Sequence, residues 1–167
     1  MTHAVLALGS NVGDSFETLQ GAVDVLFDAP GLDFVAVSPV YETAPVGGPD
    51  GQRPYLNAVV VAETVLAAMT LLERAQGAEA AFARVRGERW GPRTLDVDII
   101  VFDDVISHDE ELTLPHPRAH ERAFVLTPWY DVEPAAVLPG HGPIADLLAR
   151  LDQSGVRQLD LLLQPPD

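Results

Sequence analysis

Apolar residues alternate with small and polar ones from His3 to Leu8, the spacing of a strand with one face on a core. Gly9-Ser10-Asn11 follows and reads as a structural turn. Asp14 or Ser15 can cap a helix carrying Phe16, Leu19, Val23, Leu26 and Phe27 on one side, three and four residues apart. Pro30-Gly31 ends it. Leu32 to Tyr41 is β-rich and interrupted near Pro39, and Ala44 to Pro54 is a proline- and glycine-marked loop. Strand pattern resumes at once at Tyr55 to Ala62, so that loop is no domain linker. Thr64 can cap a second helix through Leu66, Met69, Leu72 and Ala75 to Phe82. An arginine-rich loop then enters an apolar strand, Leu95 to Phe102. Leu112 to Pro117 reads as extended and Ile144 to Leu151 as a helix, while Val156 to Leu163 suits strand or helix equally.

The order β-α-β-β-α-β predicts an α+β, ferredoxin-like sandwich: an antiparallel sheet with two helices packed on one face. The two long loops are its expected active-site loops. At 167 residues this is one expected domain, 1–167, large enough for a sizeable core.

Composition narrows the chemistry. Cysteine is absent, which excludes disulfides and thiolate metal sites. No segment is long and charge-free enough to span a membrane. The chain enters a strand pattern directly after Met1 without the charged start of a secretory leader. A cytoplasmic enzyme is expected, and a monomer, since no long exposed apolar face stands out. The net charge of −15 argues against nucleic acid as a partner. Lysine is also absent, which removes a P-loop and Schiff-base chemistry. Six of the ten arginines (Arg84, Arg86, Arg89, Arg93, Arg118, Arg122) fall within 39 residues. In so acidic a chain that is a local site for an anion, and guanidinium suits phosphate oxygens.

The densest chemistry lies in Arg89-Trp90-Gly91-Pro92-Arg93-Thr94-Leu95-Asp96-Val97-Asp98-Ile99-Ile100. Side chains two apart on a strand share a face, so Asp96 and Asp98 project together. Two carboxylates beside arginines suit Mg²⁺ and a polyphosphate. The plain alternative is a solvated pair on an exposed strand edge, but aspartate is a poor strand residue.

These residues resemble the 6-hydroxymethyl-7,8-dihydropterin pyrophosphokinases of folate biosynthesis. The likeness runs in order through Gly9-Ser10-Asn11, Tyr41-Glu42-Thr43-Ala44-Pro45, Tyr55-Leu56-Asn57 and Arg84-Val85-Arg86 to the arginine–aspartate motif. It continues in Leu114-Pro115-His116-Pro117 and Arg122-Ala123-Phe124. Such enzymes move a pyrophosphoryl group from ATP to the pterin's hydroxymethyl oxygen and release AMP. Val97 stands where leucine is usual and Ala44 where proline is common; the 47–54 loop varies among relatives.

The resemblance assigns two Mg²⁺ ions to Asp96 and Asp98, and catalytic phosphate contacts to Arg84, Arg86 and Arg93, the first two on a closing loop. It gives ATP further contacts in His116, Pro117 and Arg122, with Gln76, Glu79, Ile99 and Thr113 toward the adenosine. For the pterin it implies Tyr55 and Phe124 as stacking walls, with Asn57 and Asp96 at the ring edge. Thr43, Ala44 and Val46 assist, and Trp90 covers the site and borders the ATP. Plainer readings stand beside these: Phe124 and Ile99 as core, Glu79 as a solvated helix residue, and single arginines as surface pairs. His3, His108, His120 and His141 read as surface residues. The leading expectation is a diphosphotransferase using ATP, Mg²⁺ and the pterin. The alternatives are a catalytically degenerate nucleotide-binding module and an RNA-binding sheet.

Overall fold

A computed structural model describes residues 1–11, 14–44, 54–86 and 95–167, without the side chains of 83–86. Along the chain lie β1 (Thr2–Ser10), α1 (Ser15–Leu26), β2 (Leu32–Val37), β3 (Pro39–Thr43), β4 (Tyr55–Thr64), α2 (Ala68–Arg86) and β5 (Asp96–Phe102). Then follow β6 (Ser107–His108), β7 (Thr113–Leu114), a 3-10 turn (Ala119–Glu121), α3 (Ala123–Val132), β8 (Val137–Leu138), β9 (Gly142–Pro143), α4 (Ile144–Ala149) and β10 (Val156–Leu162).

The main sheet runs β10-β3-β4-β1-β5, with β2 also on β4. β2 and β3 lie end to end against β4, every pairing antiparallel. That is the ferredoxin-like order, with β10 added on the outside. Ser38 occupies the break between β2 and β3. Its N–H donates to the Val59 carbonyl at 2.9 Å, and its Oγ accepts from the Val59 N–H at 2.9 Å. A side-chain oxygen thus replaces one rung of the ladder, which is why the β-rich run is interrupted without losing its partner strand.

The period-two pattern sends alternate residues of each strand to opposite layers. Leu6 and Leu8 of β1, Val60 of β4 and Ile99 of β5 meet Leu19, Val23 and Leu26 of α1 and Leu71, Ala75 and Ala78 of α2. Asp14 caps α1 by accepting from the Glu17 N–H at 3.1 Å. Gly21 is what lets α1 and α2 approach. A Cβ there would stand 2.5 Å from the Phe82 ring, inside van der Waals contact. Each buried leucine in this layer contributes about 1.5–3 kcal/mol.

The opposite face is also covered. Val5, Val59, Val61, Ile100 and Val101 pack under Val125, Leu126 and Trp129 of α3 and Ile144 and Leu148 of α4. The sequence pattern predicted helices on one face only; the structure adds this second layer. A register shift between β1 and β5 beside Ile100 lets both Ile100 and Val101 face it. Among the described residues no helix is long and apolar enough to cross a membrane.

Candidate active site

One row across the sheet organises the site. Tyr41 of β3 pairs with Asn57 of β4, Asn57 with Gly9 of β1, and Gly9 with Asp96 of β5. The neighbouring row joins Ala7 to Asp98. Registered residues share a face, so Asn57, Asp96 and Asp98 all project toward the α3 side. The small residues Gly9 and Ala7 leave floor between them. A Cβ on Gly9 would lie 3.3 Å from Asn57 Oδ1, so glycine keeps both the floor and the amide in place.

Above this floor the chain leaves a cavity of about 320 Å³, at the lower end of ligand-site volumes. Thr43, Ala44, Tyr55 and Asn57 line one side, and Arg122, Phe124 and Val125 the other. Asp96 and Asp98 close its end. The Asn57 amide is buried and donates from Nδ2 to Thr43 Oγ1, which fixes which way its oxygen and remaining N–H point. The Arg122 guanidinium carbon lies 5.4 Å from the Phe124 ring centroid, a cation–π distance.

The outer edge of β5 carries the second group of predicted residues. Glu79 Oε2 accepts from the Val97 N–H at 3.0 Å, tying α2, two turns before its end, to the strand between the two aspartates. The His116 N–H donates to the Ile100 carbonyl at 2.9 Å, which lays the 112–117 segment along the same edge. Burial holds the His116 imidazole below its ordinary pKa of 6.5; Asp98 opposes that shift, and Arg122 and Arg118 add to it. The Arg118 N–H points at His116 Nδ1 at 3.2 Å. Neutral His116 therefore accepts at Nδ1 and carries its proton on Nε2.

The structure brings Thr43, Ala44, Tyr55, Asn57, Asp96, Asp98, Arg122 and Phe124 around one cavity. Ile99 does not join them: its side chain is buried in the α1–α2 core. Thr113 Oγ1 donates to the Asp109 carbonyl at 2.9 Å, Pro117 is exposed, and Gln76 is exposed on α2 one turn before Glu79. α2 extends through Arg86, so the backbones of Arg84 and Arg86 belong to its last turn rather than to a loop. Their side chains, and Val46, Arg89, Trp90 and Arg93 altogether, lie outside the described residues. Gly9, Ala7 and Val125 are cavity residues that the sequence pattern did not single out. Gly9 belongs to β1, not to a turn. Its place in the site follows from strand register, which pairs it with Asp96 and which no local pattern shows. Three of the histidines expected as surface residues have partners: His3 bonds Glu133, and His120 and His141 stack on each other at 4.2 Å.

The donor set fits a hard divalent cation. Among the described residues no three His, Asp or Glu side chains form a metal cluster, and Asp96 and Asp98 offer carboxylate oxygens only. Mg²⁺ typically takes one or two carboxylates and completes its octahedron with water and phosphate oxygens.

Comparison with known proteins identifies the family. Residues 5–134 match the family described as 7,8-dihydro-6-hydroxymethylpterin-pyrophosphokinase (HPPK). The chain is 44% identical over 160 residues to a 2-amino-4-hydroxy-6-hydroxymethyldihydropteridine pyrophosphokinase of Methylorubrum extorquens, covering 96% of this chain and 100% of that one. A Mycobacterium leprae protein of the same name is 46% identical over 181 residues, covering 98% and 92%. Among solved structures, a Plasmodium falciparum HPPK-DHPS wild type with pteroate superposes with a TM-score of 0.71 at 15% identity. That match covers 89% of this chain and 44% of the other, so this chain spans under half of that protein, and the likeness is one of fold. The chain belongs to the 7,8-dihydro-6-hydroxymethylpterin-pyrophosphokinase family and is a pyrophosphoryl transferase of folate biosynthesis.

Proposed function

We propose that the cavity holds 6-hydroxymethyl-7,8-dihydropterin and that ATP lies along the adjoining edge of β5 with its phosphates toward Asp96 and Asp98, which would hold Mg²⁺. One observation carries this reading: Asn57, Asp96 and Asp98 project onto one face around the Gly9 floor, opposite Phe124. A flat heterocycle needs stacking surfaces and an in-plane hydrogen-bonding group. Tyr55, Phe124 and the oriented Asn57 amide supply them, with Thr43, Ala44 and Val46 beside the ring. The hydroxymethyl oxygen then faces the aspartates. In the reaction it bonds to the β-phosphorus, the bond from that phosphorus to the α–β bridging oxygen breaks, and AMP leaves. The hydroxyl proton passes to water or to an aspartate.

Mg²⁺, when bound, screens phosphate charge and aligns the leaving AMP; two ions fit the two aspartates. His116 presents an Nε2–H donor and Arg122 a guanidinium toward the phosphates. Arg84, Arg86 and Arg93 add cationic contacts that strengthen as charge shifts to the leaving group. Trp90 covers the site. Gln76, Glu79, the Ile99 backbone, Thr113 and Pro117 border the adenosine side. The working unit is a single domain, 1–167, as a cytoplasmic monomer; a charge of −15 opposes self-association.

The decisive assay mixes the protein with ATP, MgCl₂ and the hydroxymethyl pterin and separates the nucleotides. AMP release that requires both pterin and Mg²⁺ is expected. ADP as the product, or AMP release indifferent to the pterin, overturns the reading.

A further inference from the structure

Helix α3 forms one wall of the cavity with Phe124 and Val125 in its first turn, yet its polar attachments to the sheet lie at the far end. Glu133, just beyond α3, accepts from Trp129 Nε1 at 2.9 Å and lies 3.1 Å from His3 Nε2 at the start of β1. Asp131 accepts from the Tyr41 hydroxyl on β3. The residue that precedes the helix, Arg122, makes no side-chain cap. Pro128 lacks the N–H that would bond the Phe124 carbonyl.

These two attachments differ in where they reach the sheet. His3 pairs with Glu63, six residues along β1 from Gly9 and four from Ala7, and so about 13 Å from the nearest part of the cavity floor. Tyr41 pairs directly with Asn57 and stands two residues from Thr43 on the same face. It is 6% exposed and is not part of the cavity wall. Its ring fills the space beneath α3, and Gln158 Oε1 of β10 lies 3.5 Å from its hydroxyl on the other side. Asp131 is about 10 Å along the helix from Phe124, and a helix carries such a constraint rigidly.

We propose that Tyr41 is a positioning residue for the pterin: its hydrogen bond to Asp131 sets the height of α3 above β3 and β4. That height is the width of the slot between the Phe124 wall and the Tyr55–Asn57 wall. Burial, then the Asp131 hydrogen bond and charge, push the phenol pKa well up. The hydroxyl therefore stays a donor throughout the neutral range. The inference rests on the cavity being the pterin site.

The test measures KM for the pterin at saturating ATP, KM for ATP at saturating pterin, kcat, and thermal unfolding. Tyr41→Phe is expected to raise the pterin KM about five- to tenfold while kcat and the ATP KM stay within about twofold. Asp131→Ala should behave alike. Asp131→Asn, whose amide oxygen still accepts from the phenol, should restore the wild-type pterin KM. His3→Ala should lower the unfolding temperature and leave the pterin KM unchanged, since it loosens the same helix away from the slot. Phe124→Ala reports on the cavity itself. An unchanged pterin KM in Tyr41→Phe alongside a raised one in Phe124→Ala overturns the positioning role and leaves the cavity reading intact. No change in either variant overturns the cavity reading and the inference with it. A rise in His3→Ala equal to that in Tyr41→Phe also overturns the inference, because general loosening of α3 would then account for both.

Discussion

Strand β5 turns Val97 and Ile99 to one face of the sheet and Asp96 and Asp98 to the other, and the whole molecule follows this division. On the α1–α2 side the facing residues are apolar except at the strand ends, where Ser10 and Thr64 are buried. On the α3 side the apolar rows of Val5, Val59 and Val61 give way at the cavity end to Ala7, Gly9, Asn57 and the aspartates, and at the opposite end to the paired His3, Glu63 and Glu133. The same strands thus carry stability on one face and chemistry on part of the other. Carboxylates near a pocket cost folding energy unless partnered, so an architecture that keeps them at the ends of one face leaves the apolar middle of the core intact.

The comparison is tested hardest at Asp98. Asp98→Ala should lower kcat by about 10³-fold, roughly 4 kcal/mol in the barrier, as expected when a catalytic cation loses an anchor. The unfolding temperature should move by only a few degrees, because Asp98 is partly exposed at the polar end. AMP release and thermal unfolding measured on the same preparation decide it. Near-normal turnover, or a protein that no longer folds, breaks the separation between the faces.

Leu6→Ala probes the opposite face with a smaller effect. Leu6 is fully buried among the α1–α2 contacts, so truncation should cost about 2–5 kcal/mol of folding stability. For a domain of this size that is roughly 10 °C in Tm. At temperatures where the variant remains folded, kcat and both KM values should stay within about twofold of wild type. A large loss of kcat in the folded variant would mean that the closed face tunes the chemistry directly.

What was legible in the sequence follows the range of each interaction. The alternation of β1, β4 and β5 and the Asp14 cap are local patterns, and they appear where the sequence puts them. The shared face of Asp96 and Asp98 was legible for the same reason, since it needs only a period of two. Their meeting with Asn57 across Gly9 needed the register of three strands. Helix α3 escaped because Ala123–Val132 has little polar stripe and contains Pro128, which reads as a breaker. Its solvent side carries the aromatic Tyr130 beside Asp131, so the amphipathic period is weak. β10 was undecided because a short apolar run fits either element. The free edge of β3 decided it, helped by the Arg157–Glu42 pair at 3.0 Å. Tyr41 and Asp131, 90 residues apart, had no local signature at all.

The smallest expected effect concerns a charge on the closed side. Arg74 of α2 reaches the end of α1, where helical carbonyls lack donors. Nη1 donates to the Leu26 and Ala29 carbonyls at 3.2 and 3.1 Å, and Nη2 to the Pro30 carbonyl at 2.8 Å. A cation there also meets the negative end of the helix dipole. The site is partly exposed, so water can replace much of what is lost, and Arg74→Ala should cost about 1 kcal/mol, or 2–4 °C in Tm. Arg74→Lys should recover less than half of that, because a single ammonium cannot span three carbonyls in a planar fork. Neither variant should alter kcat or either KM, although arginine is the residue type on which the phosphate site depends. If Arg74→Ala instead raised the ATP KM, long-range charge rather than position would govern the nucleotide, and the division between the two faces would hold only for the apolar residues.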